Sequence, residues 1–407
     1  MRSSLCALFL SVCLALSACG AGVEVQTDYI GKEAQNKYAR AWGLLSFQET
    51  EDFYIGSGTY SERAYYYDKV NGISGLLCAD PSCSHENSSC CAHVKQGSAL
   101  FLHGGQRYWI TGDHSDGGDH ILWRSDLSGE NREKLRTISL ENIIMTYQPQ
   151  QYFVHRDHLY FLGKEDVIPI GDRISILGAS LDGDEEFTTL FDETYYLYAN
   201  AEAYFVGNNA YLMVKQFEGT GEVGWDNIYV SIHRIDLTTD EQELLYEEAD
   251  VNAPVTSMWV TEEGKVYFSK NDRFCVLEDG TARELFRFND PTAFQLWVMD
   301  GIVVNSTARD HVNWIEIKDF EGNAIYDGPL FPNGVLGFDI KPGNISNNHE
   351  FGYAYVGGDR EKLILAMTHM EHADKMSSGL LTSITDYMLS LDLNNNLAPT
   401  VLWISEQ

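Results

Sequence analysis

Four cysteines fall within fourteen residues: Cys78-Ala79-Asp80-Pro81-Ser82-Cys83-Ser84-His85-Glu86-Asn87-Ser88-Ser89-Cys90-Cys91. The whole chain of 407 residues holds only eight, so this density points to cross-linking or ligation. Three chemistries fit. In an oxidising compartment the thiols would pair into disulfides that staple a long loop, giving two linkages within residues 78–91. Alternatively, Cys78, Cys83, His85 and Cys90 would offer three thiolates and one imidazole to a tetrahedral zinc ion, although their spacing departs from the usual pair of CxxC knuckles. A reduced, redox-active cluster is the third reading, hinted at by the adjacent pair Cys90-Cys91. Cys275, inside Phe274-Cys275-Val276-Leu277, reads as a small buried core residue.

Other reactive groups are weaker candidates. Asp113-His114-Ser115-Asp116-Gly117-Gly118-Asp119-His120 gathers carboxylates and imidazoles but lacks the alternating order of a calcium loop, so a solvated turn explains it. His369 and His372 in His369-Met370-Glu371-His372-Ala373-Asp374 would share a helix face but point apart on a strand, and they lack metalloprotease spacing. Asp392-Leu393-Asn394-Asn395-Asn396 reads as a turn that needs no ion. No nucleophile elbow, Walker loop or dinucleotide fingerprint occurs, and no catalytic residue is assigned.

The scaffold for these groups is a repeat. A β-rich run, a polar turn with Asp followed by Gly or Asn, and a second β-rich run recur with turns ending at positions 72, 129, 183, 239, 280, 322 and 395. Asp bonds its own backbone two residues on, and Gly accepts positive φ, which is hairpin chemistry. An aromatic or Val-containing run precedes most units, as in Phe53-Tyr54-Ile55, Tyr108-Trp109-Ile110 and Val266-Tyr267-Phe268. The intervals of 57, 54, 56, 41, 42 and 73 residues each fit one four-stranded blade with insertions. The expected fold class is therefore all-β: a β-propeller of seven blades of four antiparallel strands. Six or eight blades stay open, because the last interval has room for one more unit. The ring is expected to close where residues 42–47 meet residues 400–404.

One copy, Leu122-Trp123-Arg124-Ser125-Asp126-Leu127-Ser128-Gly129-Glu130-Asn131, resembles the YWTD and TolB-like propeller repeats. With the N-terminal segment and the cysteine cluster, the chain is similar to Firmicutes-type propeller lipoproteins. That resemblance implies a fold and an address but no activity.

The address is carried by residues 1–18, which read as a lipoprotein signal peptide: Arg2, the apolar stretch Leu5 to Leu16, then Leu16-Ser17-Ala18-Cys19. Cys19 is the expected lipid attachment site, residues 19–40 a tether, and residues 41–407 the propeller. Acyl chains on Cys19 would hold the protein to the cell membrane on its extracytoplasmic face. The net charge of −32 argues against nucleic acid and against docking on anionic lipid. A monomer that binds a protein or glycan ligand without catalysis is expected, with zinc at the Cys/His cluster the one cofactor in view. Trp225 and Tyr60 are candidate sugar-stacking residues. An exported polysaccharide hydrolase or lyase with carboxylates in the channel is the alternative.

Overall fold

The computed structural model describes residues 39–42, 45–58, 62–86, 88–94, 99–111, 120–138, 151–167, 171–183, 185–218, 227–250, 255–288, 295–309, 312–334, 345–346, 349–372 and 381–406. The expected signal, Cys19 and the expected tether up to residue 38, the loop from Asp113 to Asp119, and Tyr60 and Trp225 lie outside them, as do Ala373 and Asp374; residues 39 and 40, expected in the tether, begin the first strand.

Seven antiparallel sheets follow one another along the chain, at residues 39–76, 99–138, 151–195, 198–250, 255–287, 295–329 and 345–406, and form the blades of a seven-bladed β-propeller. Blades 1 and 7 each carry one additional short strand before the usual four, Ala39–Trp42 and Ile345–Ser346. That strand and three long ones of ten to twelve residues, His349–Gly358, Lys362–His372 and Leu381–Asp392, fill the 73-residue interval without an eighth blade.

All seven turns marked in the sequence join the last two strands of a blade. Asp68 accepts from the amides of Val70 and Asn71 at 2.8 and 2.9 Å, and Asp236 from Thr238 at 2.8 Å. Asp319 accepts from Glu321 and Asn323 at 3.0 and 2.8 Å, and Asp392 from Asn394 at 2.9 Å. Asp279 and Gly280, with φ of 48° and 74°, form the two-residue hairpin loop that matches strand twist.

Within a blade the sequence pattern follows depth. The first strand of blade 2, Ala99–His103, is buried at every position, as expected of a strand covered on both faces. The last strand of blade 5, Thr281–Arg287, is exposed or half-buried throughout. First strands also bond sideways. Ser46 Oγ donates to Leu100 O at 2.8 Å, and the Gln48 amide donates to Leu102 O at 3.1 Å while accepting from Leu102 N, which ties blade 1 to blade 2. His155 of blade 3 bonds Gly207 O of blade 4 at 2.8 Å.

The ring closes where expected, by packing. No sheet contains strands from both ends of the described chain. Instead Trp403, in the last strand Ala398–Glu406, stacks on Tyr65 at 6.2 Å and Phe47 at 6.4 Å, within a core shared by Tyr54, Val356, Ile364, Met388 and Leu402.

Candidate functional site

The cysteine segment runs from the outermost strand of blade 1, Ile73–Leu76, toward the innermost strand of blade 2. On the way it folds back on blade 1: Ala64 N donates to Ala92 O at 2.8 Å, and Val94 N to Glu62 O at 3.0 Å. Val94 is buried beside Ile55, Leu100 and Trp109, so the segment belongs to the core between blades 1 and 2.

Its four predicted ligands converge. The donor atoms of Cys78, Cys83, His85 and Cys90 all lie within 4.8 Å of one another, and they form the one group of three or more such donors found among the described residues. His85 Nδ1 is 3.2 Å from Cys90 Sγ. Local geometry explains the fit. His85 takes a left-handed conformation, φ 59°, which turns the chain so that its amide faces Cys83 Sγ at 3.4 Å. The Ala92 amide donates to Cys90 Sγ at 3.3 Å. The Cys78 thiol, which burial alone would raise, is held below its ordinary pKa by the Asp80 and Cys91 amides and the Cys90 and Cys83 thiols. Burial pushes the Cys90 thiol up to about 11, and it also raises Cys91.

The structure alters one expectation. None of the described cysteines is in a disulfide: Cys78, Cys83, Cys90, Cys91 and Cys275 are all free thiols. The physical reason is the meeting of three sulfurs with an imidazole, where a staple would bring sulfurs together in pairs. Cys91 stands outside the four converging donors, and its carbonyl serves as an anchor. Cys275 is buried, and burial raises its thiol to about 11.

Three arginines that sequence reasoning passed over grip this segment by its carbonyls. Arg63, just before the third main strand of blade 1, donates to His85 O at 2.9 and 2.6 Å. Arg107, in the blade 2 strand Gln106–Thr111, donates to Cys91 O at 2.6 Å and Leu77 O at 3.3 Å, and Arg132 binds Cys90 O. Arg107 is fully buried, which brings its guanidinium pKa down to about 10; it still carries its charge at neutral pH and stacks on Trp109 beside Arg132. The available signal was a cation inside the aromatic strand Gln106-Arg107-Tyr108-Trp109, in a chain with only 28 Lys and Arg. Gly129 completes the contact: a Cβ there would sit 2.4 Å from Cys91 O and 2.5 Å from Arg107 Nη2. The repeat copy that best matches the propeller motif is thus the one on which the cysteine segment rests.

A small, partly open cleft, about 430 Å³ with open solvent counted in, lies among Phe47 and Glu49 of blade 1, Trp259 of blade 5, Trp297 of blade 6 and Tyr355 of blade 7. Trp297 packs against Tyr355 at 5.8 Å, and its enclosed indole Nε1 has no hydrogen-bond partner among the described residues. Glu49, the one acid among the described residues lining the cleft, is held by Lys69 at 2.9 Å and Lys362 at 3.4 Å. Elsewhere, His120 bonds the buried Tyr152 hydroxyl at 3.1 Å. His369 and His372 share one strand; His369 is buried and stacked on Phe351 at 4.7 Å. Asp392 caps the short helical turn Leu393–Asn395 between the last two strands of blade 7.

Solved structures with similar backbones include puromycin hydrolase, at TM-score 0.50 and 11% identity, covering 91% of this chain and 54% of that one. The likeness is one of fold. The chain spans about half the length of that hydrolase. Two others are the β-propeller domain of the Trilobed protease from Pyrococcus furiosus (TM-score 0.44, 12% identity, 89% of this chain and 99% of that one) and TolB from Acinetobacter baumannii (0.36, 11%, 67% and 61%). No protein-family model and no curated protein sequence matches the chain.

Proposed function

We propose that the chain is a lipid-anchored, extracytoplasmic propeller that binds a glycan or protein ligand without transforming it. The cleft carries this reading: the half-buried ring of Trp297 lines it, backed by the buried aromatic side chains of Phe47, Trp259 and Tyr355 from blades 1, 5 and 7. Flat apolar faces with a few polar groups suit sugar rings, whose edges are polar and faces apolar. Glycoside chemistry needs two carboxylates flanking the bond, and Glu49, the cleft's acid, is committed to two lysines. The extracytoplasmic address rests on Leu16-Ser17-Ala18-Cys19.

The full chain, purified in detergent, should bind members of a glycan array saturably and release no product, and Trp297→Ala should weaken that binding about tenfold, the worth of one lost stacking contact. Radiolabelled palmitate should enter the wild-type chain and not Cys19→Ala. Turnover of any polysaccharide on the array would hand the reading to the hydrolase or lyase alternative.

A further inference from the structure

We infer that Cys78, Cys83, His85 and Cys90 hold one structural zinc ion that fastens the rim of blade 1 onto blade 2. This stands on residues the cleft does not use.

The donor set decides among ions. Three thiolates and an imidazole are soft-to-borderline donors that suit zinc, whereas calcium and magnesium take oxygen and iron–sulfur clusters take four cysteines as a rule. A tetrahedral centre with Zn–S bonds of about 2.3 Å places its sulfurs about 3.8 Å apart. The four donor atoms, all within 4.8 Å of one another with His85 Nδ1 at 3.2 Å from Cys90 Sγ, are close to that arrangement already.

Surrounding groups favour bound thiolate. Backbone amides point at sulfur in three places: His85 N to Cys83, Ala92 N to Cys90, and Asp80 N with Cys91 N to Cys78. Amide donors aimed at sulfur stabilise its anion. Zinc with three thiolates and a neutral imidazole keeps one net negative charge, and three guanidiniums stand on the carbonyls of the same segment.

The consequence is mechanical. The ion joins Cys78, directly beyond the outer strand of blade 1, to Cys90, directly before the stretch that pairs with residues 62–64. Closing that loop presses the Cys91 carbonyl onto Arg107 and the blade 2 hairpin at Gly129.

The full chain, prepared in detergent with zinc supplied, should contain about one zinc per molecule by plasma mass spectrometry. Absorption at the zinc edge should report three sulfurs at about 2.3 Å and one nitrogen at about 2.0 Å. In native protein the ligand thiols should be unreactive toward a thiol reagent and become reactive when a chelator removes the metal. Cys83→Ser should lose the zinc while circular dichroism keeps the β spectrum. If that variant does not fold, the zinc-edge and chelation measurements on wild type decide. A mass four units below the reduced value, from two disulfides within residues 78–91, would overturn the proposal, and so would a folded, reduced chain that binds no zinc.

Discussion

The two sides of blade 1 are held by different physics. Toward blade 7 the contact is mainly aromatic and apolar: Trp403 on Tyr65 and Phe47, with Tyr54 and Met388 behind them, one ion pair from Lys362 to Glu49 at 3.4 Å, and no strand shared across the seam. Toward blade 2 an apolar core around Ile55, Leu100 and Trp109 is joined by directional polar contacts: Ser46 and Gln48 bond the next blade's first strand, and three arginines grip the Cys/His segment. Packing contributes through area and is tolerant in direction, so it suits a seam that joins the chain's ends. A carbonyl-and-cation clamp is exacting in position, so it suits an irregular segment without a ladder of its own. The two seams should therefore fail independently.

The largest expected effect is at the aromatic seam. Trp403→Ala should cost about 3–5 kcal/mol in denaturant-measured stability, the range for a buried aromatic emptied to a cavity, and leave metal content unchanged. Next is Arg107→Met, which removes the donors on Cys91 O and Leu77 O. A loss of about 2–3 kcal/mol is expected from unfolding curves, with zinc affinity about tenfold weaker by competition with a chelator. Equal zinc affinity in that variant would separate the arginine clamp from the cluster. Gly129→Ala should cost about 1–3 kcal/mol, since the added methyl overlaps Cys91 O on a backbone with φ of 84°. Its thermal melt should shift while the Trp403 fluorescence environment stays as in wild type.

The smallest effect belongs to neither seam and calibrates both. Hydrogen bonds from Ser128, Thr238 and Asn71 hold Asp126, Asp236 and Asp68 below the ordinary carboxylate value; at Asp319 burial opposes the same effect from Asn323. Because the folded values lie below the unfolded ones, this stabilisation is complete above the ordinary value and is lost as pH falls through the folded values. Melting temperature should stay flat down to about pH 5 and fall below about pH 4.

Blade count was legible because Asp and Gly act locally: each turn announces itself within a few residues, as at Asp319 and Gly322. The closing seam was legible from the aromatic runs at the two ends. Cys78, Cys83, His85 and Cys90 were visible by density, but their free thiols were not, because pairing versus ligation depends on whether His85 turns back to Cys90. Arg63, Arg107 and Arg132 come from three separate stretches, and only the docked segment gives them a common task. Trp259, Trp297 and Tyr355 are brought together by the closing of the ring, so nothing in their own neighbourhoods marks them as one cleft.

Hydrogen–deuterium exchange of the zinc-loaded chain before and after chelation tests the independence of the two seams most directly. The account predicts faster exchange in Ile73–Leu76 and residues 88–94, with Ala398–Glu406 unchanged. Uniform loss of protection around the ring, or none anywhere, would contradict it.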